Sequence, residues 1–395
     1  MTAEHSFPSE TDTIPYYHPI VSLQSQRIIG YESLGRQLIA GKLQSLGPFF
    51  HNPDIGEAAH VRLDRHLRKQ AIEKWAGRQG GELLFLNLKP SWIYRLWKEQ
   101  GFLYTLSLLD RHRVDPGSVV IEITEEEFGG NLYELAEIVE QYRLRGCTIA
   151  IDDVGSGFSN FDRIAVIRPK ILKLDLELLK KSHSHQGYRA VMRSFSILAS
   201  QLGASLLVEG VETDKDLLLA LQAGARYVQG YLFSVPVPDF LPEDRFAPLI
   251  DDVLERYRRQ EIEKYGNLSE IDGRLSELLT RSLEASCPDE ADGLVQSIVE
   301  GLPGYCHRAY ICTGDGKQLS ANFSRTDGGN WARDASYRGC NWIWRPYFIS
   351  NITLMNAQDK GILSTEYTDL ETSAMIQTYS YPIGSECYLF IDLSF

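Results

Sequence analysis

Polar and ionisable side chains fall at the ends of short apolar runs along the first 240 residues. Asn87 lies in Leu-Asn-Leu-Lys-Pro, Glu122 and Glu125 in Ile-Glu-Ile-Thr-Glu, and Asp152 and Asp153 follow Ile-Ala-Ile. Lys173 and Asp175 close the next run, Glu209 and Glu212 the one after, and Gln229 the last. A single acidic residue at such a place serves as readily to cap the next helix. Four or more converging carboxylates raise one another's pKa and cost stability unless a cation neutralises them. An all-oxygen set completed by the Asn87 amide suits Mg²⁺, Mn²⁺ or Ca²⁺ rather than zinc. The adjacent pair Asp152 and Asp153 could bridge two such ions, which would clamp the attacking water and leaving oxygen of a phosphodiester. Lys173 is no ligand for a hard cation; it would hold the water or offset phosphate charge, with Glu209 accepting the proton. A Schiff-base role for Lys173 would need a neutral, desolvated amine, which a ring of carboxylates opposes.

These residues need a scaffold that gathers strand ends. The clearest strands are Leu83–Leu88, Val119–Thr124, Thr148–Ile151, Ile171–Leu174, Ser205–Val208 and Tyr227–Leu232, and helical stretches such as Leu132–Arg145 and Tyr188–Leu202 lie between them. Near-continuous apolar strands alternating with helices indicate a parallel sheet covered by helices. Six such units over this length point to a closed (β/α)8 barrel of the TIM type, with the polar residues on its C-terminal rim. No GxGxxG or P-loop follows any strand, which disfavours a nucleotide-binding open sheet.

The chain has 395 residues, 43% of them hydrophobic and 24% charged, and 40 Lys and Arg against 53 Asp and Glu give a net charge of −13. That composition is globular, and its acidity disfavours binding to nucleic-acid duplex. Six cysteines without a C-x-x-C pair argue against a disulfide scaffold or structural zinc. The polar opening and the absence of an apolar run near 18 residues lead us to expect a cytoplasmic protein with no signal peptide and no membrane span. We divide the chain into a barrel (1–241), a charge-dense helical connector (242–285) with a break at Gly266, and an aromatic-rich α+β domain (286–395). In the last, a hairpin turns at Asp315–Gly316 and Cys387–Phe395 forms the closing strand. The connector's apolar stripe, Phe246 to Leu279 at spacings of 3 and 4, packs on its own domain or forms a dimer seam. The aromatics of the last domain read as core, and Cys306 and Cys312 as buried thiols.

Taken in order, the motifs resemble an EAL domain, the cyclic-di-GMP-specific phosphodiesterase. They are Tyr-His-Pro-Ile (17–20), Glu-Ser-Leu-Gly-Arg (32–36), Asn-Leu-Lys-Pro (87–90), Glu-Ile-Thr-Glu (122–125), Asp-Asp-Val-Gly-Ser-Gly-Phe-Ser (152–159), Lys-Leu-Asp (173–175), Glu-Gly-Val-Glu-Thr (209–213) and Gln-Gly-Tyr-Leu-Phe (229–233). The resemblance implies that Glu32, Asn87, Glu122, Asp152, Asp153 and Glu209 bind metal and that Lys173 and Glu209 handle the water. Glu125 would fix the 152–159 loop, Arg36 would hold a ligand phosphate, and Gln229, His18 and Leu34 would lie on the substrate side. It further implies hydrolysis of cyclic di-GMP to linear pGpG with Mg²⁺ or Mn²⁺, Ca²⁺ binding but inhibiting, and a first barrel strand antiparallel to the others. In the last domain the hairpin through Gly314–Gly316, the run Trp-Arg-Pro-Tyr-Phe (344–348) and Ser-Thr-Glu-Tyr-Thr-Asp-Leu-Glu-Thr (364–372) before Thr-Tyr-Ser-Tyr-Pro-Ile (378–383) resemble a PAS-like sensory domain. From the connector's stripe we expect a two-fold homodimer to which connector and last domain contribute, with a protein partner in signalling. Ser33 replaces the family's Ala and His18 its Gln, while Val154, Ser156 and Phe158 alter the loop. An intact ligand set with a changed loop leaves two readings: an active phosphodiesterase, or a cyclic-di-GMP receptor with little turnover.

Overall fold

The computed structural model describes residues 8–39, 41–78, 80–124, 128–155, 160–285, 291–326, 328–384 and 386–394. It divides into two units, Met1–Arg258 and Arg259–Phe395. The strands of the first are β1 (Thr13–Ser22), β2 (Ile28–Ile39), β3 (Lys42–Ser45), β4 (Leu83–Leu88), β5 (Val119–Ile123), β6 (Thr148–Val154), β7 (Ile171–Leu174), β8 (Ser205–Val208) and β9 (Tyr227–Val228). From β2 the sheet runs in parallel through β4 to β9, and β1 closes it by pairing antiparallel with both β2 and β9. The result is an eight-stranded barrel of the expected type, and β3 is an additional strand on the outer part of β2.

Alternation along the strands separates two cores. Leu84, Leu86, Ile121, Ile149, Leu172 and Leu206 face outward into the layer beneath the helices, where each fully buried aliphatic side chain contributes about 1.5–3 kcal/mol. Ile20, Phe85, Val120, Ala150, Ile171 and Leu207 form a separate buried layer, the filling of the barrel. The next inward positions, two residues on along the parallel strands, are Asn87, Glu122, Asp152, Lys173 and Glu209. Glu32 and Gln229 stand two residues after Gly30 and Tyr227. On the reversed β1, His18 stands two residues before Ile20 and pairs in register with Glu32. The barrel's own period therefore sets these residues as one tier above an apolar tier.

The expected strand Tyr227–Leu232 is shorter, ending at Val228. The chain turns there, and Gly230 passes so close to Val211 that a Cβ would lie 2.1 Å from its carbonyl oxygen. The helix Ala247–Ala285 is also unbroken at Gly266, contrary to expectation. Its flanking turns have good helix formers, and one glycine costs only about 1 kcal/mol. Its apolar stripe is covered in two parts. Phe246, Ile250 and Val253 join the barrel's outer core, and Leu275 and Leu279 join the core of the second unit. Ile262 and Tyr265, between them, are exposed.

The second unit is α+β. Its strands are β10 (Cys306–Thr313), β11 (Asn322–Arg325), β12 (Trp331–Asp334), β13 (Ile362–Leu363), β14 (Tyr367–Thr368), β15 (Met375–Pro382) and β16 (Cys387–Leu393). They form an antiparallel sheet ordered β12-β11-β10-β16-β15-β13, with β14 on β15. Alternation sends Ala309, Ile311, Leu389 and Ile391 to one face, against helix Ala291–Val299. Tyr310, Cys312, Tyr388 and Phe390 go to the other, with Tyr347, Phe348 and Met355. Cys306 and Cys312 are buried thiols, and most of the aromatics are core, although Trp344 is exposed. Among the described residues, no helix is long and apolar enough to cross a membrane.

Candidate active site

The tier above the barrel filling holds four acids, Glu32, Glu122, Asp152 and Glu209, and Asp153 adds a fifth beside it. Lys173 is fully buried at its centre, with Nζ 2.7 Å from Glu209 Oε1, 2.8 Å from Glu122 Oε1, 3.0 Å from Asp152 Oδ1 and 3.7 Å from Glu32 Oε2. Glu32 is held from two sides: Asn87 Nδ2 donates to its Oε1 at 2.8 Å and Gln229 Nε2 to its Oε2 at 2.9 Å. Burial pushes Glu32 up, but Lys173 and these two donors outweigh it and hold the carboxyl below its ordinary range. Burial dominates at Glu122, Asp152 and Glu209 and raises all three. It also raises Asp153 to about 7, with the neighbouring Asp152 adding to the effect. Burial alone would lower Lys173, yet the surrounding carboxylates raise it well above the usual lysine range, so it is an ammonium and no Schiff-base nucleophile. One ammonium stands against five acids.

The donor set fits a hard cation. Asn87 Oδ1, Gln229 Oε1 and Glu122 Oε2 are buried without a hydrogen-bond donor, and Glu122 Oε1 meets only the Lys173 ammonium, so this group of acceptor oxygens is short of positive charge. Oxygens of Glu32, Glu122 and Asp152 lie within 4.8 Å of one another, as do those of Asp152, Asp153 and Glu209. Two carboxylate triads sharing Asp152 could hold two neighbouring divalent ions.

A cavity of about 460 Å³ opens on this tier. Glu32, Asn87, Asp152, Asp153 and Glu209 line one part of it, and Leu34 and Arg36 line another. Arg36 Nη1 donates to the Gly35 carbonyl at 3.0 Å, which leaves most of its donors available. A cationic side chain beside an acidic floor that could hold cations suits a bound phosphodiester.

An EAL domain model matches residues 4–236, and an EAL-domain associated signalling protein domain matches residues 240–395. The chain belongs to the EAL-domain proteins. It is 35% identical over 388 residues to the EAL-domain containing protein YkuI of Bacillus subtilis (strain 168), covering 97% of this chain and 95% of that one. The crystal structure of YkuI in complex with cyclic di-GMP and calcium superposes with a TM-score of 0.90, over 98% of this chain and 97% of that chain. The cyclic di-GMP phosphodiesterase RocR of Pseudomonas aeruginosa is 36% identical over 133 residues, 34% of each chain.

Within this EAL domain, the residues expected to bind metal converge, as do Lys173 and Gln229. Gln229 is spent on Glu32 and does not line the cavity. His18 does not line it either; its Nε2 is 3.0 Å from the Ser234 carbonyl oxygen, and burial holds its pKa below the ordinary value. Glu125 and loop residues 156–159 lie outside the described residues. Asp175 is a helix N-cap, accepting from Glu177 N at 2.6 Å, and Glu212 pairs with Lys180 at 2.9 Å. Sequence reasoning missed Asp64, Arg68, Lys89 and Trp92, which also line the cavity. For Arg68 there was a signal: a charge in an apolar helical register.

Proposed function

We propose that the chain hydrolyses cyclic di-GMP to linear pGpG, using Mg²⁺ or Mn²⁺ held by Glu32, Asn87, Glu122, Asp152, Asp153 and Glu209. The observation that carries this reading is the pair of carboxylate triads sharing Asp152 beside a cavity that contains Arg36. Divalent ions, when bound, would supply Lewis-acid stabilisation and lower the pKa of the attacking water. Arg36 would hold a phosphate oxygen and orient the phosphodiester. Lys173 would keep the acids ionised and fix the water by donating to it, and Glu209 would take its proton. Leu34 would bound the ligand on the cavity side, with His18 and Gln229 acting through β1 and Glu32. On this reading residues 1–241 carry the chemistry, 242–285 connect and 286–395 regulate.

YkuI has been crystallised with cyclic di-GMP and calcium, which supports ligand binding here. We infer a two-fold homodimer to which the connector and the last domain contribute, and the exposed Ile262 and Tyr265 on the connector helix support it; light scattering on the full chain tests it. For the reaction, purified full-length protein is given cyclic di-GMP with Mg²⁺, Mn²⁺ and Ca²⁺ in parallel. We expect pGpG with the first two and binding without turnover in Ca²⁺, whose looser coordination orients water poorly. Binding in all three without pGpG would make the protein a cyclic-di-GMP receptor, and no binding in any would end both readings.

A further inference from the structure

Helix Glu57–Trp75 buries Val61, Leu63, Leu67, Ala71, Ile72 and Trp75. Arg68 stands seven residues from both Val61 and Trp75, where that register calls for an apolar side chain, and it is only 8% exposed. A guanidinium buried this way is costly unless its donors are used. Here they reach three elements. Arg68 Nη2 pairs with Asp64 in its own helix, Nη1 donates to Thr105 Oγ1 at 3.2 Å in helix Tyr104–His112, and Nη2 donates to the Asn87 carbonyl at 3.3 Å near the end of β4. Asn87 is, with Gln229, one of the two amides in the acidic tier. Its Nδ2 is committed to Glu32, and its Oδ1 is buried with no donor. The amide oxygen can serve a cation only if the main chain beneath it holds still.

We propose that Arg68 is a positioning residue for the divalent-cation site: by gripping the Asn87 main chain from the helix side, it sets the direction of the Asn87 amide oxygen and so the affinity for metal. The inference rests on reading that tier as a divalent-metal site. A guanidinium serving only to join two helices would have no such effect on metal affinity.

Mn²⁺ is titrated calorimetrically into the full-length wild type, Arg68→Met, Arg68→Lys, Asn87→Ala and Asn87→Ala/Arg68→Met. Because Arg68→Met leaves the half-buried Asp64 without its partner, Asp64→Asn/Arg68→Met is the second variant, free of an unpaired charge; circular dichroism verifies that each is folded. We expect Arg68→Met and Asp64→Asn/Arg68→Met to bind Mn²⁺ about 10–100-fold more weakly, the usual effect of losing support behind a ligand, with Arg68→Lys restoring part of the loss. In the Asn87→Ala background Arg68→Met should add less than about twofold, because the two act as one unit. Wild-type affinity in Asp64→Asn/Arg68→Met, or an equal loss with and without Asn87, would overturn the inference. Failure of the wild type itself to bind Mn²⁺ is a separate result that overturns the metal reading and this inference with it.

Discussion

Lys173→Met tests whether the acidic tier is held together by one buried charge. Three carboxylate oxygens approach Nζ within 2.7–3.0 Å. At an effective dielectric of about 20, each such contact has a gross attraction of about 6 kcal/mol. Desolvation of the buried ions returns several kcal/mol apiece, so the net effect of removing the ammonium is that of breaking a buried pair, about 3–5 kcal/mol. Methionine fills most of the volume, so little of the loss comes from a cavity. Without metal the variant should unfold at markedly lower urea, followed by tryptophan fluorescence and far-UV circular dichroism in EDTA. The same acids are then left without a counter-charge, so Mn²⁺ should recover more stability in the variant than in the wild type. Binding at 100 times Kd contributes about 2.7 kcal/mol, over half of the deficit. A variant as stable as the wild type in EDTA, or one indifferent to Mn²⁺, would show that these carboxylates do not form the repelling, cation-seeking cluster inferred here.

Glu209→Gln should abolish turnover while leaving cyclic-di-GMP affinity within about tenfold, measured by product chromatography and calorimetry, since the amide keeps an oxygen for the metal but cannot accept the proton. Arg36→Ala should weaken ligand binding by about 1.5–3 kcal/mol, the worth of a charge-assisted phosphate contact; unchanged affinity would remove Arg36 from the site. Asp216 is buried, and although burial raises its pKa, bonds from His183, the Glu212 amide, the Thr213 hydroxyl and Lys180 bring it down to about 2. A carboxyl depressed in the folded state stabilises above its unfolded pKa and loses that contribution as pH falls through the folded value. Asp216→Asn should therefore be less stable by about 2 kcal/mol at neutral pH, with the deficit about halved near pH 3, measured by urea unfolding at each pH.

Most of the site could be read from one regularity. Phe85, Val120, Ala150, Ile171 and Leu207 fill the barrel, and adding two to each gives Asn87, Glu122, Asp152, Lys173 and Glu209. Because a strand's side chains alternate, polar residues at that offset must share the barrel's mouth. Other parts were less legible. β1 carries Pro15 and Pro19, which weaken any strand pattern, so its place came from the motif around His18. His18 itself is turned to Ser234 by a contact 216 residues away in sequence, which no local pattern encodes. Glu32 is fixed by Asn87 and Gln229, 55 and 197 residues distant. The helical stripe from Phe246 to Leu279 was legible as a stripe, but not that its two ends join different cores. Arg68 was legible and overlooked, since a charge at an apolar position is a local anomaly with a tertiary cause.

Asp152 and Asp153 show what the barrel gives up for this arrangement. In a regular strand, neighbours point to opposite faces, and only one of the two could reach the mouth. β6 breaks its own pattern: its register against β7 shifts between Ile151 and Val154, and Asp153 takes a left-handed φ of 54°. That conformation disfavours an ordinary L-residue by about 1–2 kcal/mol, less for Asp, whose short side chain tolerates it. The bulge delivers a second carboxylate beside the first, with Asp153 N donating back to Asp152 Oδ1 at 2.9 Å. Nothing in the stability of a barrel asks for this. Another tier of aliphatic side chains like the one below would close the mouth without repulsion or desolvation. A left-handed aspartate, a shifted register, orphaned acceptor oxygens and five acids around one ammonium each oppose folding, and they coincide at one rim. Local rules fail together where a ligand is meant to complete them, and a ligand that satisfies acceptor oxygens and excess negative charge at once is a cation.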